Sequence, residues 1–133
     1  PEIRRNAMLW NGGLRTMKVL DPDSPTANLL WIKKMAWLMH RYPQTKFVVF
    51  ISRFNTELVQ HYDVIDWNIY RKNMEVLQQI FHADNVLFLD YNQPRYHWEI
   101  NRFIDLVHTP GKASEDMADY LFKDSQAFIK DML

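Results

Sequence analysis

Two short apolar runs constrain this chain more than any other feature. Lys46-Phe47-Val48-Val49-Phe50-Ile51-Ser52 and Asn85-Val86-Leu87-Phe88-Leu89-Asp90 are hydrophobic at consecutive rather than alternate positions. A strand with one wet face alternates apolar and polar residues. A strand that is apolar throughout is covered on both faces, as in a parallel sheet between helices. Three helical patterns surround the two runs. From Thr26 to about Tyr42, apolar residues at Leu29, Leu30, Ile32, Met35, Ala36, Leu38 and Met39 recur three and four apart, with Lys33 and Lys34 on the other side. Pro43 stops that helix. Asp66 is read as the N-cap of a second helix through Phe81, with Ile69, Met74, Leu77, Ile80 and Phe81 in one stripe and Arg71, Lys72, Glu75 and Gln78 facing out. A third helix is expected from Ser114, its first turn carrying Glu115 and Asp116 and its apolar face made by Met117, Tyr120, Leu121, Phe128 and Ile129.

The order over residues 26–133 is therefore helix, strand, helix, strand, helix, which is the order of an α/β fold with a layered parallel sheet and flanking helices. Residues 1–25 are irregular, with turn signals at Asn11-Gly12-Gly13 and Asp21-Pro22-Asp23-Ser24-Pro25 and one short strand expected at Thr16–Leu20. Two or three doubly covered strands are fewer than such sheets usually hold, about five. The sheet is thus expected to be incomplete on its N-terminal side. The missing strands would come from residues upstream, another copy or a partner chain. The chain does not begin with Met, which fits a processed protein or the C-terminal portion of a longer domain.

Composition removes several classes of function. The 16 Lys+Arg balance the 16 Asp+Glu, and general nucleic-acid binding needs a basic surface. The absence of Cys excludes disulfides, thiolate zinc sites and a cysteine nucleophile, and is compatible with cytoplasm and cell envelope alike. With 3 Gly there is no Gly-rich phosphate loop. The histidines His40, His61, His82 and His97 show no metal-ligand spacing, so neither metal nor cofactor is expected. No apolar run reaches the roughly 18–20 residues that span a bilayer. Aromatics, at 14% with 5 Trp, are abundant and want a large core or a partner surface.

The segment Phe103-Ile104-Asp105-Leu106-Val107-His108-Thr109-Pro110-Gly111 carries the chemistry. An Asp three residues before a His, just ahead of a closing helix, can accept a hydrogen bond from one imidazole nitrogen and fix the tautomer. The other nitrogen is then left to take a proton from a serine. The plain alternative is a pair that caps a turn. Ahead of it lie Tyr91, Arg95, Tyr96, His97 and Trp98, on the side of a parallel sheet where ligands bind. Tyr96 and Trp98 are candidate platforms for a sugar ring or acyl chain, or else rings that plug the core. Arg53, Arg95 and Arg102 are candidate holders of an anionic group.

In this order of elements, and above all in Asp105-x-x-His108 before the last helix, the chain resembles the C-terminal half of the SGNH (GDSL-type) hydrolases. Gly111 and Ala118 stand where that family often has small residues. The resemblance covers roughly residues 26–133 and looks most like members that act on acyl groups of cell-surface polysaccharides. It implies a flavodoxin-like sheet and a serine esterase or O-acyltransferase. It also implies His108 as general base and then acid, Asp105 as its orienting partner, and an acyl-ester or carbohydrate substrate. The family's Gly-Asp-Ser block and the Gly and Asn of its oxyanion hole have no counterpart here. Asp23-Ser24 follows Val19-Leu20, but Asp21-Pro22 interrupts it and no Gly precedes it. Ser24 is thus a nucleophile candidate only in outline, and Asn11 is a turn residue before it is an oxyanion donor. The serine is expected from outside this sequence, and the 133-residue chain alone is expected to lack esterase activity. The alternative is a non-catalytic α/β module that completes its sheet by self-association or with a partner.

Overall fold

A computed structural model describes residues 18–54, 65–96 and 111–130. It contains α1 (Ala27–His40), β1 (Phe47–Ile51), α2 (Trp67–Ile80), β2 (Val86–Asp90) and α3 (Gly111–Ile129), in the order the hydrophobic pattern predicts. Each apolar run becomes a five-residue strand, and the two pair in parallel with Phe47 opposite Val86 and Ile51 opposite Asp90. Among the described residues the sheet has these two strands only. The protein is thus mixed α/β, its described residues forming a two-stranded parallel ribbon and three helices.

The period of two along the strands sorts the helices onto opposite faces. Leu87, Leu89 and the following Tyr91 lie on one side with Val48, packed against Met117, Tyr120 and Leu121 of α3. On the other side Phe88 stacks on Phe81 with ring centroids 5.9 Å apart, and the Asp90 carboxylate accepts a hydrogen bond from Tyr70 of α2 at 2.7 Å. Both helices run against the strand direction. Tyr70, in the first turns of α2, meets the C-terminal end of β2. Tyr120 of α3 meets Tyr91 just past β2, whereas Lys46, just before β1, lies 4.8 Å from the Phe128 ring near the other end of α3. The first turns of α2 and α3 are therefore on the side of the sheet where the strands end.

Local signals explain the helix boundaries. Thr26 caps α1, its hydroxyl accepting from Leu29 N. The Asp66 carboxylate caps α2, accepting from Asn68 N at 2.9 Å and Ile69 N at 3.1 Å. These are N–H groups the helix cannot pair internally. Asp66→Ala should lower stability by about 1 kcal/mol in a urea melt; an unchanged midpoint would mean the cap is dispensable. At the opposite end of the ribbon, Asn85 is buried, and its Nδ2 lies 2.9–3.1 Å from the carbonyls of Met39, Tyr42 and Thr45. This ties the exit of α1 to the start of β2.

Four sequence expectations are corrected. The last helix begins at Gly111, three residues before Ser114. Lys18, Val19 and Leu20 form no strand; Leu20 N donates to Asn73 Oδ1 at 2.7 Å and Asn73 Nδ2 to Lys18 O at 3.0 Å, so a side chain of α2 holds this backbone. Of the expected α2 stripe, Leu77 and Phe81 are buried and Ile69, Met74 and Ile80 half-buried, and two residues outside it, Tyr70 and Asn73, are buried beside them. In α1 only Leu29 and Ala36 are buried. No helix among the described residues is long and apolar enough to cross a membrane.

Candidate functional site at the carboxyl end of the strands

The backbones leaving β1 and β2 are stitched together by side chains. Phe54 N donates to Asn92 Oδ1 at 2.8 Å, and Asn92 Nδ2 donates to Ser52 O and to the Tyr70 hydroxyl oxygen, each at 3.0 Å. Arg53 Nη1 donates to Tyr91 O at 3.0 Å. Asp90 receives Tyr70 Oη at 2.7 Å and Asn92 N at 2.9 Å. Arg53, Tyr70 and Asp90 are all buried. Burying an arginine and an aspartate is tolerable only when they offset each other and are hydrogen-bonded. Desolvation pulls the Arg53 guanidinium down from its ordinary value, and the negative charge of Asp90 opposes that pull. Burial, followed by the hydrogen bond to Asp90, pushes the Tyr70 phenol far above its ordinary range. Tyr70 is thus a hydrogen-bond donor at this site, not a proton acceptor.

These groups form the floor of a cavity of about 580 Å³ between α2 and the turn after β2, with Trp67, Arg71, Glu75 and Gln93 also on its wall. It opens outside the carboxyl ends of parallel strands, the position at which α/β sheets take their ligands. The wall combines aromatic rings, amides and both signs of charge, which suits a polar ligand rather than a simple anion. Among the described residues no three His, Asp or Glu side chains converge to hold a metal ion.

On the α3 face of β2 a second cluster closes the core. Tyr91, fully buried, meets Tyr96 at 4.8 Å between centroids, and Tyr96 meets Tyr120 at 5.1 Å, both edge to face. The Tyr96 hydroxyl donates to Asp124 Oδ2, and Arg95 both donates to that hydroxyl at 2.6 Å and covers the ring at 4.7 Å. Burial first, then the hydrogen bond to Asp124, push the Tyr96 phenol up to about 12. Tyr91 is raised as well, by burial and then by Asp124. A solvated tyrosine ionises near 10. Because the folded protein holds these protons more tightly than the unfolded chain, stability is fully present below about pH 10 and falls as pH rises from there. The urea midpoint should therefore drop between about pH 10 and pH 12, less steeply in Tyr96→Phe. Identical slopes in the two proteins would show that Tyr96 does not contribute.

The candidate residues from sequence separate accordingly. Tyr96 is 4% exposed and has no face left for a substrate ring. Arg95 is exposed beside it. Ser24 is exposed in the bend before α1 and is not among the described residues of the cavity wall. Arg53, considered as an anion holder, is buried and fastened to the backbone of Tyr91. Asp105, His108, Trp98 and Arg102 lie outside the described residues. Sequence reasoning missed Tyr70, Asp90 and Asn92 as a unit. The one available signal was a carboxylate ending the otherwise apolar run Val86–Asp90. Comparison with protein-family models, curated proteins and solved structures finds no match to this chain.

Proposed function

We propose that this chain carries the proton-transfer half of an SGNH-like serine esterase or O-acyltransferase, with His108 as base and then acid and Asp105 as its orienting partner. The supporting observation is the direction of α3. The helix starts on the side of the sheet where the strands end, the side on which the buried Arg53–Asp90–Tyr70 floor and its cavity open. Asp105-x-x-His108 is the sequence immediately ahead of that helix.

In the proposed reaction a serine oxygen attacks the ester carbonyl while His108 takes the hydroxyl proton. Backbone N–H groups stabilise the resulting oxyanion. The tetrahedral adduct expels the alcohol, which leaves with the proton from His108. Water or a sugar hydroxyl then attacks the acyl-serine, delivering its proton to His108, and the second tetrahedral adduct expels the serine oxygen, which takes that proton back as the acid or new ester leaves. Asp105 holds the imidazole in the tautomer that can accept, and its charge stabilises the imidazolium. The serine and the oxyanion donors are assigned to residues outside this sequence.

A fluorophosphonate probe applied to the protein together with whatever co-purifies, followed by mass spectrometry, tests the proposal. An adduct on a serine, abolished by His108→Ala, is expected. No adduct, or one that His108→Ala leaves untouched, would overturn it in favour of a non-catalytic module. Among the described residues the sheet is a two-stranded ribbon with the Phe50 side chain exposed on β1, which favours that second reading.

A further inference from the structure

We propose, independently of the esterase reading, that the outward face of α1 docks on the surface of an anionic lipid bilayer. Trp31 is 65% exposed and Trp37 57%, and Leu30, Met35 and Leu38 are each about half exposed. At 100° per residue these five side chains fall within an arc of about 160°. Lys34 and Arg41 lie inside the same arc, not opposite it. Each is stacked on a tryptophan, Lys34 Nζ 4.8 Å from the Trp31 ring centre and the Arg41 guanidinium 4.9 Å from that of Trp37. Across residues 26–46 the chain has Lys33, Lys34, Arg41 and Lys46 and no acidic residue, although the whole chain is neutral.

That combination selects the partner. Covering this face with an ordinary protein core would desolvate two cations in the middle of the apolar arc, with no carboxylate on the helix to offset them. At a lipid interface both requirements are met together. Tryptophan and leucine enter the boundary between headgroups and acyl chains, and the long cationic side chains reach lipid phosphates. At 14 residues α1 is about 21 Å long, so it lies in the interface and does not span it.

Vesicle co-sedimentation of the full chain tests this, with phosphatidylglycerol–phosphatidylcholine vesicles against phosphatidylcholine alone. The mixed vesicles should bind the protein and shift its tryptophan emission to the blue. Neutralising Lys34 and Arg41 together (K34Q with R41Q) should weaken binding about 25-fold, at roughly fivefold per cation. Trp31→Ala with Trp37→Ala should abolish it while circular dichroism stays unchanged, since both rings are on the surface. Failure of the folded protein to bind mixed vesicles would overturn the proposal, as would equal binding to phosphatidylcholine alone. A dimer that the tryptophan variant dissociates, in a protein that binds no vesicles, would give the face to a second copy instead.

Discussion

Asp90→Ala should destabilise the protein by about 2–4 kcal/mol, the cost of leaving the buried donors of Tyr70 and Asn92 without their acceptor and the Arg53 charge without its nearby carboxylate. The native carboxylate accepts hydrogen bonds from Tyr70 Oη and Asn92 N and offsets the buried Arg53 charge. Alanine removes all three effects and leaves a guanidinium in low dielectric. Domains are stable by only about 5–15 kcal/mol, so a large part of the folding free energy is lost. Arg53→Met should be costly for the mirror reason, since it leaves the carboxylate without its counter-charge. Combining Arg53→Met with Asp90→Ala should cost less than the two single changes added together, by about 0.5–3 kcal/mol of coupling. Urea melts of the four proteins supply the cycle. An Asp90→Ala protein within 1 kcal/mol of the parent would show that the floor of the cavity is not held by this pair.

The second large effect belongs to chemistry. In the protein that bears the serine, His108→Ala should lower ester turnover by about 10³- to 10⁶-fold, because members of a hydrolase triad act as a unit. The thermal midpoint should stay within the range of a surface substitution. Loss of activity accompanied by an equally large loss of stability would mark His108 as a structural residue. Undiminished turnover would remove it from the mechanism.

Much of the architecture was legible because it rests on local period. Consecutive apolar residues at Phe47–Ile51 and Val86–Asp90 announced two parallel strands, and Asp66 announced the start of α2. What local period could not reveal is polar burial satisfied from far away. Asn73 is inside because it pairs with backbone 53 and 55 residues distant, and Tyr70 because Asp90, 20 residues on, accepts a hydrogen bond from its hydroxyl. Those two polar residues join Leu77 and Phe81 on the buried face of α2, which apolar period alone does not show. In α1 the opposite error arose. Its apolar residues go nearly all round the helix, so periodicity could not choose a buried face, and Leu29 and Ala36 alone are covered. Arg53, read from sequence as a holder of an anionic group, is buried for the same reason, its hydrogen-bond partner Tyr91 lying 38 residues further along the chain. Of the catalytic candidates, Ser24 is an exposed turn residue, and Asp105 and His108 fall outside the described residues.

The most direct measurement is the imidazole nitrogen resonance of His108, recorded by nuclear magnetic resonance against pH in the parent and in Asp105→Asn. A base held by an aspartate should carry its proton on Nδ1 when neutral, and its pKa should fall when the Asp105 charge is removed. Identical titrations in the two proteins, with the Nε2–H tautomer dominant in both, would contradict the pairing on which the proposed chemistry depends.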